Sequence, residues 1–270
     1  MKKKIFIGCV VLMFAIKSFV APYFESASLC RYIEKGQTED VIMKIENMED
    51  VNCGTAPMFM KSMLNALDYD IELPLILACK EGNYQVAEAL LKKGADPNKY
   101  YEGGFTAAEA LFAGNPLNEL EMIKLLVNYG ADVTIAESAS SPLFEAARKM
   151  IYANSEERKD YLAECIEYLL MYDKNLVDEN GISILHYAVM ADNISLIKYL
   201  LKDEKELINL TISNGQTVLF EAVKNNSFEV VDLLIKNGIE KNIVDSTGRT
   251  ACDYAVENGF DDIALLLKMR

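Results

Sequence analysis

The sequence carries one histidine in 270 residues. With His186 alone, neither a serine nor a cysteine nucleophile has an imidazole base at hand, so the commonest covalent-catalysis arrangements are missing. Six cysteines, Cys9, Cys30, Cys53, Cys79, Cys165 and Cys252, include no C-x-x-C pair, which leaves out zinc-binding and redox motifs. No glycine-rich loop stands between a strand pattern and a helix pattern, so there is no phosphate cradle, and Gly103-Gly104 reads as part of a turn. The adjacent acids Glu156-Glu157 and Asp261-Asp262 do not form a converging acid/base pair. Basic residues are outnumbered, 27 against 41 acids, for a formal charge of -14. Such a surface repels nucleic-acid phosphates and anionic lipid heads and draws in a basic protein surface. These absences predict no enzyme, no cofactor, no metal and no nucleic-acid partner.

The N-terminus is built differently from the rest. Lys2, Lys3 and Lys4 precede an apolar run from Ile5 to Ile16, which has the size of a signal-peptide core and is too short to span a bilayer unaided. Ser26 and Ser28 suit a signal peptidase, so residues 1–28 read as a cleaved leader. An apolar run carried past Lys17 to Ala21 without cleavage makes an anchor instead. The membrane enters only through that uncleaved form, and the expected location is a bacterial periplasm. With Cys9 lost in the leader, five cysteines remain, and Cys30 and Cys53 are the one pair considered for a disulfide there. Cys79, Cys165 and Cys252 fall at apolar positions and read as small buried hydrophobes.

One short pattern returns along the remainder. It appears at Leu73-Pro74-Leu75-Ile76, Thr106-Ala107-Ala108-Glu109, Ser141-Pro142-Leu143-Phe144, Ser183-Ile184-Leu185-His186, Thr217-Val218-Leu219-Phe220 and Thr250-Ala251-Cys252-Asp253, at intervals of 33, 35, 42, 34 and 33 residues. Each tetrapeptide is expected to open a short helix, a Ser or Thr oxygen accepting from an orphan amide of the first turn. Thr106 and Glu109 have capping-box spacing. Small residues follow at Ala78, Ala110, Ala146, Ala188, Ala222 and Ala255, so the helices can pack closely. A second helix then shows one apolar face, as in Val230, Leu233 and Leu234, and stops where Gly94, Gly130 or Gly238 can adopt the left-handed conformation. A unit of this length cannot bury enough surface alone, and stacking on neighbours supplies the missing core.

These residues resemble the ankyrin-repeat family. Ser183-Ile184-Leu185-His186 and Ser141-Pro142-Leu143-Phe144 approach its Thr-Pro-Leu-His signature, and Leu90-Leu91-Lys92-Lys93-Gly94-Ala95-Asp96-Pro97-Asn98 matches its Leu-Leu-x-x-Gly-Ala-Asp-x-Asn ending. The resemblance implies an all-α ankyrin-repeat solenoid over 72–270, in units 72–102, 103–138, 139–180, 181–214, 215–247 and 248–270. Residues 29–71 read as a degenerate N-terminal repeat with an extra helix between Asn52 and Leu73. In the third unit, Lys149 to Tyr161 lengthens the helix pair. His186 takes the position where the family uses histidine structurally.

The resemblance also implies a protein-binding module that meets its partner on the turn ridge. The aromatic turn Tyr100, Tyr101, Glu102 and Phe105 leads the candidates, with Phe105 the residue expected to fold back on the core. Arg148, Lys149 and Tyr152 at the lengthened unit follow, then the turn residues Asp178, Glu179, Asn180, Asn214 and Asp245. Exported acidic ankyrin proteins paired with secreted phospholipase toxins look like this chain. The implied function is that of an immunity protein masking a basic-surfaced toxin or enzyme. A periplasmic scaffold or stress-protection protein and a host-directed effector stand as alternatives.

Overall fold

The computed structural model describes residues 25, 28–52, 73–100, 105–114, 116–134 and 141–269. The chain forms two compact units, Met1–Ser138 and Ala139–Arg270. In the first, helical residues 28–34 precede α1 (Thr38–Asn47), α2 (Pro74–Lys80), α3 (Tyr84–Lys92), α4 (Ala107–Ala113) and α5 (Glu119–Asn128). In the second come α6 (Pro142–Ile151), α7 (Glu156–Leu169), α8 (Ile184–Met190), α9 (Ile194–Asp203), a 3-10 turn (Lys205–Asn209), α10 (Val218–Lys224), α11 (Phe228–Lys236), α12 (Ala251–Glu257) and α13 (Asp261–Lys268). No β-strand occurs among the described residues; the nearest approach is two isolated bridges, Val177 to Ser183 and Val244 to Thr250, at the necks of turns. Each unit is thus an all-α stack of helix pairs. The leader, the extra helix expected after Asn52 and Cys53 lie outside the described residues, apart from Glu25 and Ser28.

Helix starts follow the expected chemistry only in part. Thr106 and Thr250 form full capping boxes with Glu109 and Asp253, and Ser183 accepts from the His186 amide. Ser141 and Thr217 make no such bond, and their hydroxyls are buried. The difference lies three residues on. Glu109 and Asp253 accept from the N–H of the cap residue and His186 Nδ1 pairs with the Ser183 hydroxyl, whereas Phe144 and Phe220 have no polar group to reach back. There the main chain tightens the first turn itself, Phe144 N–H and Phe220 N–H each donating to the cap carbonyl at 3.0 Å.

Helix ends are more uniform. Gly94 has φ +94°, Gly94 N–H donates to Leu91 O at 3.0 Å and Ala95 N–H to Leu90 O at 2.9 Å. That pair of bonds closes a Schellman end, and the positive φ is what selects glycine. The lengthened repeat puts its surplus into both helices: α6 has 10 residues against 7 in α8, and α7 has 14 against 10 in α9.

Neighbouring pairs are tied at the turns and packed through the helices. In the first unit Asn52 donates to Gly94 O at 2.9 Å and accepts from Asp96 N–H at 2.7 Å; Asn98 repeats both bonds with Gly130 O and Asp132 N–H at 2.9 and 2.7 Å. Thr134 holds the next such position, and its hydroxyl bonds back to Asp132 instead. Between the helices, Ala78, Ala110, Ala146, Ala188, Ala222 and Ala255 are all buried, as the pattern of small residues predicts. Among the described glycines the tightest approach is at Gly114, where an added Cβ runs into the Lys80 carbonyl oxygen. Gly114→Ala must push α4 away from α2, and we expect a loss of about 2–3 kcal/mol in urea unfolding, the upper range for overpacking. An unchanged midpoint means that the two helices do not meet this closely.

Candidate functional site

The expected ridge residues fall into an exposed and an inward-turned set. In the first unit Tyr100 is 42% exposed, and Phe105 packs against Leu73, Ile76 and Ala110. Tyr101 and Glu102 lie outside the described residues.

In the second unit the turn around Asp178 is built by its own carboxylate. Oδ1 accepts from the Asn180 and Ile182 amides at 2.9 and 2.8 Å, and Oδ2 accepts from the Tyr187 hydroxyl at 2.8 Å. Gly181 at φ +77° lets the chain reverse. Burial and the bond to Asp178 push Tyr187 up to about 12, so it donates at any physiological pH. Arg148 reaches this cluster from α6, with Glu145 at 2.9 Å and with Asp178 and Glu179 both at 3.7 Å.

The same device recurs at Asp245. Its Oδ1 accepts from Thr247 N–H at 2.8 Å and Thr247 Oγ1 at 2.6 Å, and its Oδ2 from the Tyr254 hydroxyl at 2.8 Å. The Thr247 hydroxyl, with further help from Tyr254 and from main-chain amides, holds the Asp245 carboxyl well below the usual carboxylate range. Arg249 stacks over the Tyr254 ring at 4.2 Å. Asn214 sits between the two devices, accepting from Gln216 N–H with its side chain and from Ser246 N–H with its carbonyl. Gln216 then links Lys224 to Tyr254.

Asp178 and Asp245 are therefore buried acceptors within their turns, while Glu179, Asn180 and Asn214 stay exposed. Lys149 is half-buried and Tyr152, just past α6, is 81% exposed. The structure brings together Arg148, Asp178 and Glu179; Tyr100 belongs to the other unit. Tyr187, Tyr254 and Gln216 were not among the expected site residues. The signal for the two tyrosines was the Asp-to-Tyr spacing of nine, present in both turns; Gln216 had none.

The histidine is placed for structure. Ser183 Oγ lies 2.7 Å from His186 Nδ1, a serine-imidazole pair in form, yet both side chains are buried and the hydroxyl also receives the His186 amide. The pair closes the start of α8 and offers no surface to a substrate. Burial pushes the imidazole down to about 4, opposed by Glu221 and the Gln216 main chain. Among the described residues, no group of three or more His, Cys, Asp or Glu could hold a metal ion, and no helix is long and apolar enough to cross a membrane.

A family model of ankyrin repeats in three copies matches residues 150–245 and 205–270, and a single ankyrin-repeat model matches residues 72–100. A putative ankyrin repeat protein of Fowlpox virus is 32% identical over 98 residues, 36% of this chain and 23% of that protein. A palmitoyltransferase of Lachancea kluyveri is 25% identical over 191 residues, 68% of this chain and 24% of the enzyme. The chain thus spans about a quarter of the length of these curated relatives. Among solved structures, the human ASB11 ankyrin repeat domain matches with TM-score 0.68 and 21% identity, over 90% of this chain and 98% of that one. A chain from a complex of a predatory endopeptidase of Bdellovibrio bacteriovorus with an immunity protein matches with TM-score 0.60 and 23% identity, over 72% of this chain and 95% of that one. These two likenesses concern the fold.

His186 gives a test of the buried cap. The folded chain keeps the imidazole neutral to about pH 4, whereas an unfolded chain takes up a proton near 6.5. The contribution is complete above pH 6.5 and is lost as pH falls to about 4, an effect of about 3 kcal/mol. We expect the stability of His186→Gln to fall less than that of the parent over this window, by that order, in urea titrations at fixed pH. Parallel pH profiles place the imidazole in solvent.

Proposed function

The chain belongs to the ankyrin-repeat family, and on that premise we propose that it is an exported immunity protein, which binds a basic-surfaced toxin of the phospholipase or lipase kind and masks it. Ankyrin repeats make protein-protein interaction modules, and the family sets that much. The finer reading draws on the chain's own chemistry. The single observation that carries it is the contrast between three lysines followed by an apolar run at residues 2–16 and a remainder whose acids outweigh its bases so far that the whole stands at -14. Export of an acidic repeat stack puts a cation-seeking surface where delivered enzymes arrive, and opposite potentials speed the encounter. The resemblance to a chain from an endopeptidase-immunity complex is compatible with this function.

On this reading the first unit offers Tyr100 as an outward contact, with Tyr101 and Glu102 beside it in sequence, and the second unit by itself offers Tyr152, Glu179, Asn180 and Asn214. Tyrosine presents a large, stiff contact area at small entropy cost. A pull-down with residues 29–270 from cells that carry the neighbouring genes is expected to recover a single secreted enzyme, encoded next to this chain. Tyr100→Ala with Tyr101→Ala is expected to weaken that complex by about 2 kcal/mol, the scale of an interface hot spot. Equal affinity in the double variant removes the aromatic turn from the interface. An adjacent catalase gene argues for stress protection instead, and a secretion locus without a toxin argues for an effector. Cell fractionation checks export: the protein is expected in the periplasm beginning at Leu29, and retention in the cytosol contradicts the reading.

A further inference from the structure

The second unit distributes its charge unevenly between its two helix layers. On the side of the turns and the first helix of each pair, several acids carry a basic partner. Glu145 and Asp178 have Arg148, Glu221 has Lys224 at 2.8 Å, and Glu257 has Arg249 at 3.1 Å. On the outer helices α7 and α9, which pack side by side, Glu156 pairs with Lys159 at 2.8 Å, but a second group of acids stands apart. Burial, and then the charges of Glu167, Asp203 and Glu204, push the Tyr199 hydroxyl up, and burial with the neighbouring Glu164 charge does the same to Glu167. Among the described residues none of these four carboxylates has an ion-pair partner. Lys198 and Lys202 share α9 with Tyr199 and are exposed, but neither closes on them.

The same surface carries aromatic and thioether groups. Tyr168 and Tyr172 pack with ring centroids 5.4 Å apart and hydroxyls 3.3 Å apart. Met171 is 65% exposed, Tyr172 44% and Tyr199 38%. A helix face that only meets water gains nothing from such groups, and apolar area left in contact with water is free energy not recovered in the fold. Ring faces bordered by carboxylates suit one class of ligand, a cation with an alkyl stem. An arginine or lysine lays its stem on the tyrosines and brings its charge to the acids.

We propose that the outer face of α7 and α9, centred on Tyr168, Tyr172 and Tyr199, docks a lysine- and arginine-bearing surface of the partner protein. This rests on the reading above that the partner is basic. A second copy of the chain is the wrong occupant, because the acidic rim meets its own sign.

The test titrates the purified chain with a short peptide of alternating arginine and leucine, and with a control carrying glutamate for arginine. Tyrosine-ring chemical shifts are followed by NMR. Saturable binding of the arginine peptide alone is expected, with shifts at Tyr168, Tyr172 and Tyr199, and affinity about tenfold weaker in Glu167→Gln/Glu204→Gln, as for loss of close charge pairs. Binding that instead shifts Tyr152, Tyr187 and Tyr254, untouched by the double substitution, overturns this surface and leaves the basic-partner reading in place. No saturable binding of either peptide overturns both. Shifts at Tyr168, Tyr172 and Tyr199 that depend on protein concentration alone show self-association and overturn the proposal.

Discussion

Burial between neighbouring helix pairs is the interaction on which the rest of this structure depends. A pair such as α10 and α11 has too little interior to offset the entropy of ordering its residues, and it shares its core with the pairs on either side. Phe220 on α10 is buried and meets the Tyr254 ring of α12 edge-on at 5.5 Å; Phe144 on α6 meets Tyr187 of α8 at 5.9 Å. The alanines at the matching place in each first helix keep those contacts close. Turn bonds such as those of Asn52 and Asn98 fix the register in which neighbours meet.

Register in turn decides which groups are free for a partner. Because Asp178 and Asp245 must close their turns, their carboxylates are committed to main-chain amides and tyrosine hydroxyls. Arg148 and Arg249 are drawn to the same places. What stays open in the second unit is a few turn residues and an outer helix face where tyrosines stand among unbalanced acids. Recognition by such a scaffold needs no moving part, only rigid elements that hold aromatic rings and carboxylates at fixed spacing. The buried Ser183-His186 pair shows the converse. A serine and an imidazole in hydrogen-bond contact serve here as a helix cap, both buried at the start of α8.

The repeats were legible in the sequence because their signals are local. Gly94 ends a helix for reasons contained in a few residues, and the pattern of alanines needs only helical spacing to be read. Caps were legible in part: Thr106, Ser183 and Thr250 accept as expected, while Ser141 and Thr217 do not, because the outcome also depends on the side chain three residues later. Phe105 turned toward the core as its apolar ring requires. The candidate site was harder to read. Whether a turn aspartate faces a partner or its own turn depends on a tyrosine nine residues away and on an arginine that reaches the same carboxylate. The outer face proposed for docking draws on α7 and α9 from two repeats, and only the packing of those helices side by side makes it one surface.

The dependence of each pair on its neighbours can be measured directly by amide hydrogen exchange on Phe220→Ala. The substitution removes a fully buried ring, at a cost of about 3–5 kcal/mol. If stability is shared between repeats, protection falls in α8 and α12 as well as in α10 and α11. Loss of protection confined to residues 218–236, with the flanking helices unchanged, contradicts the account.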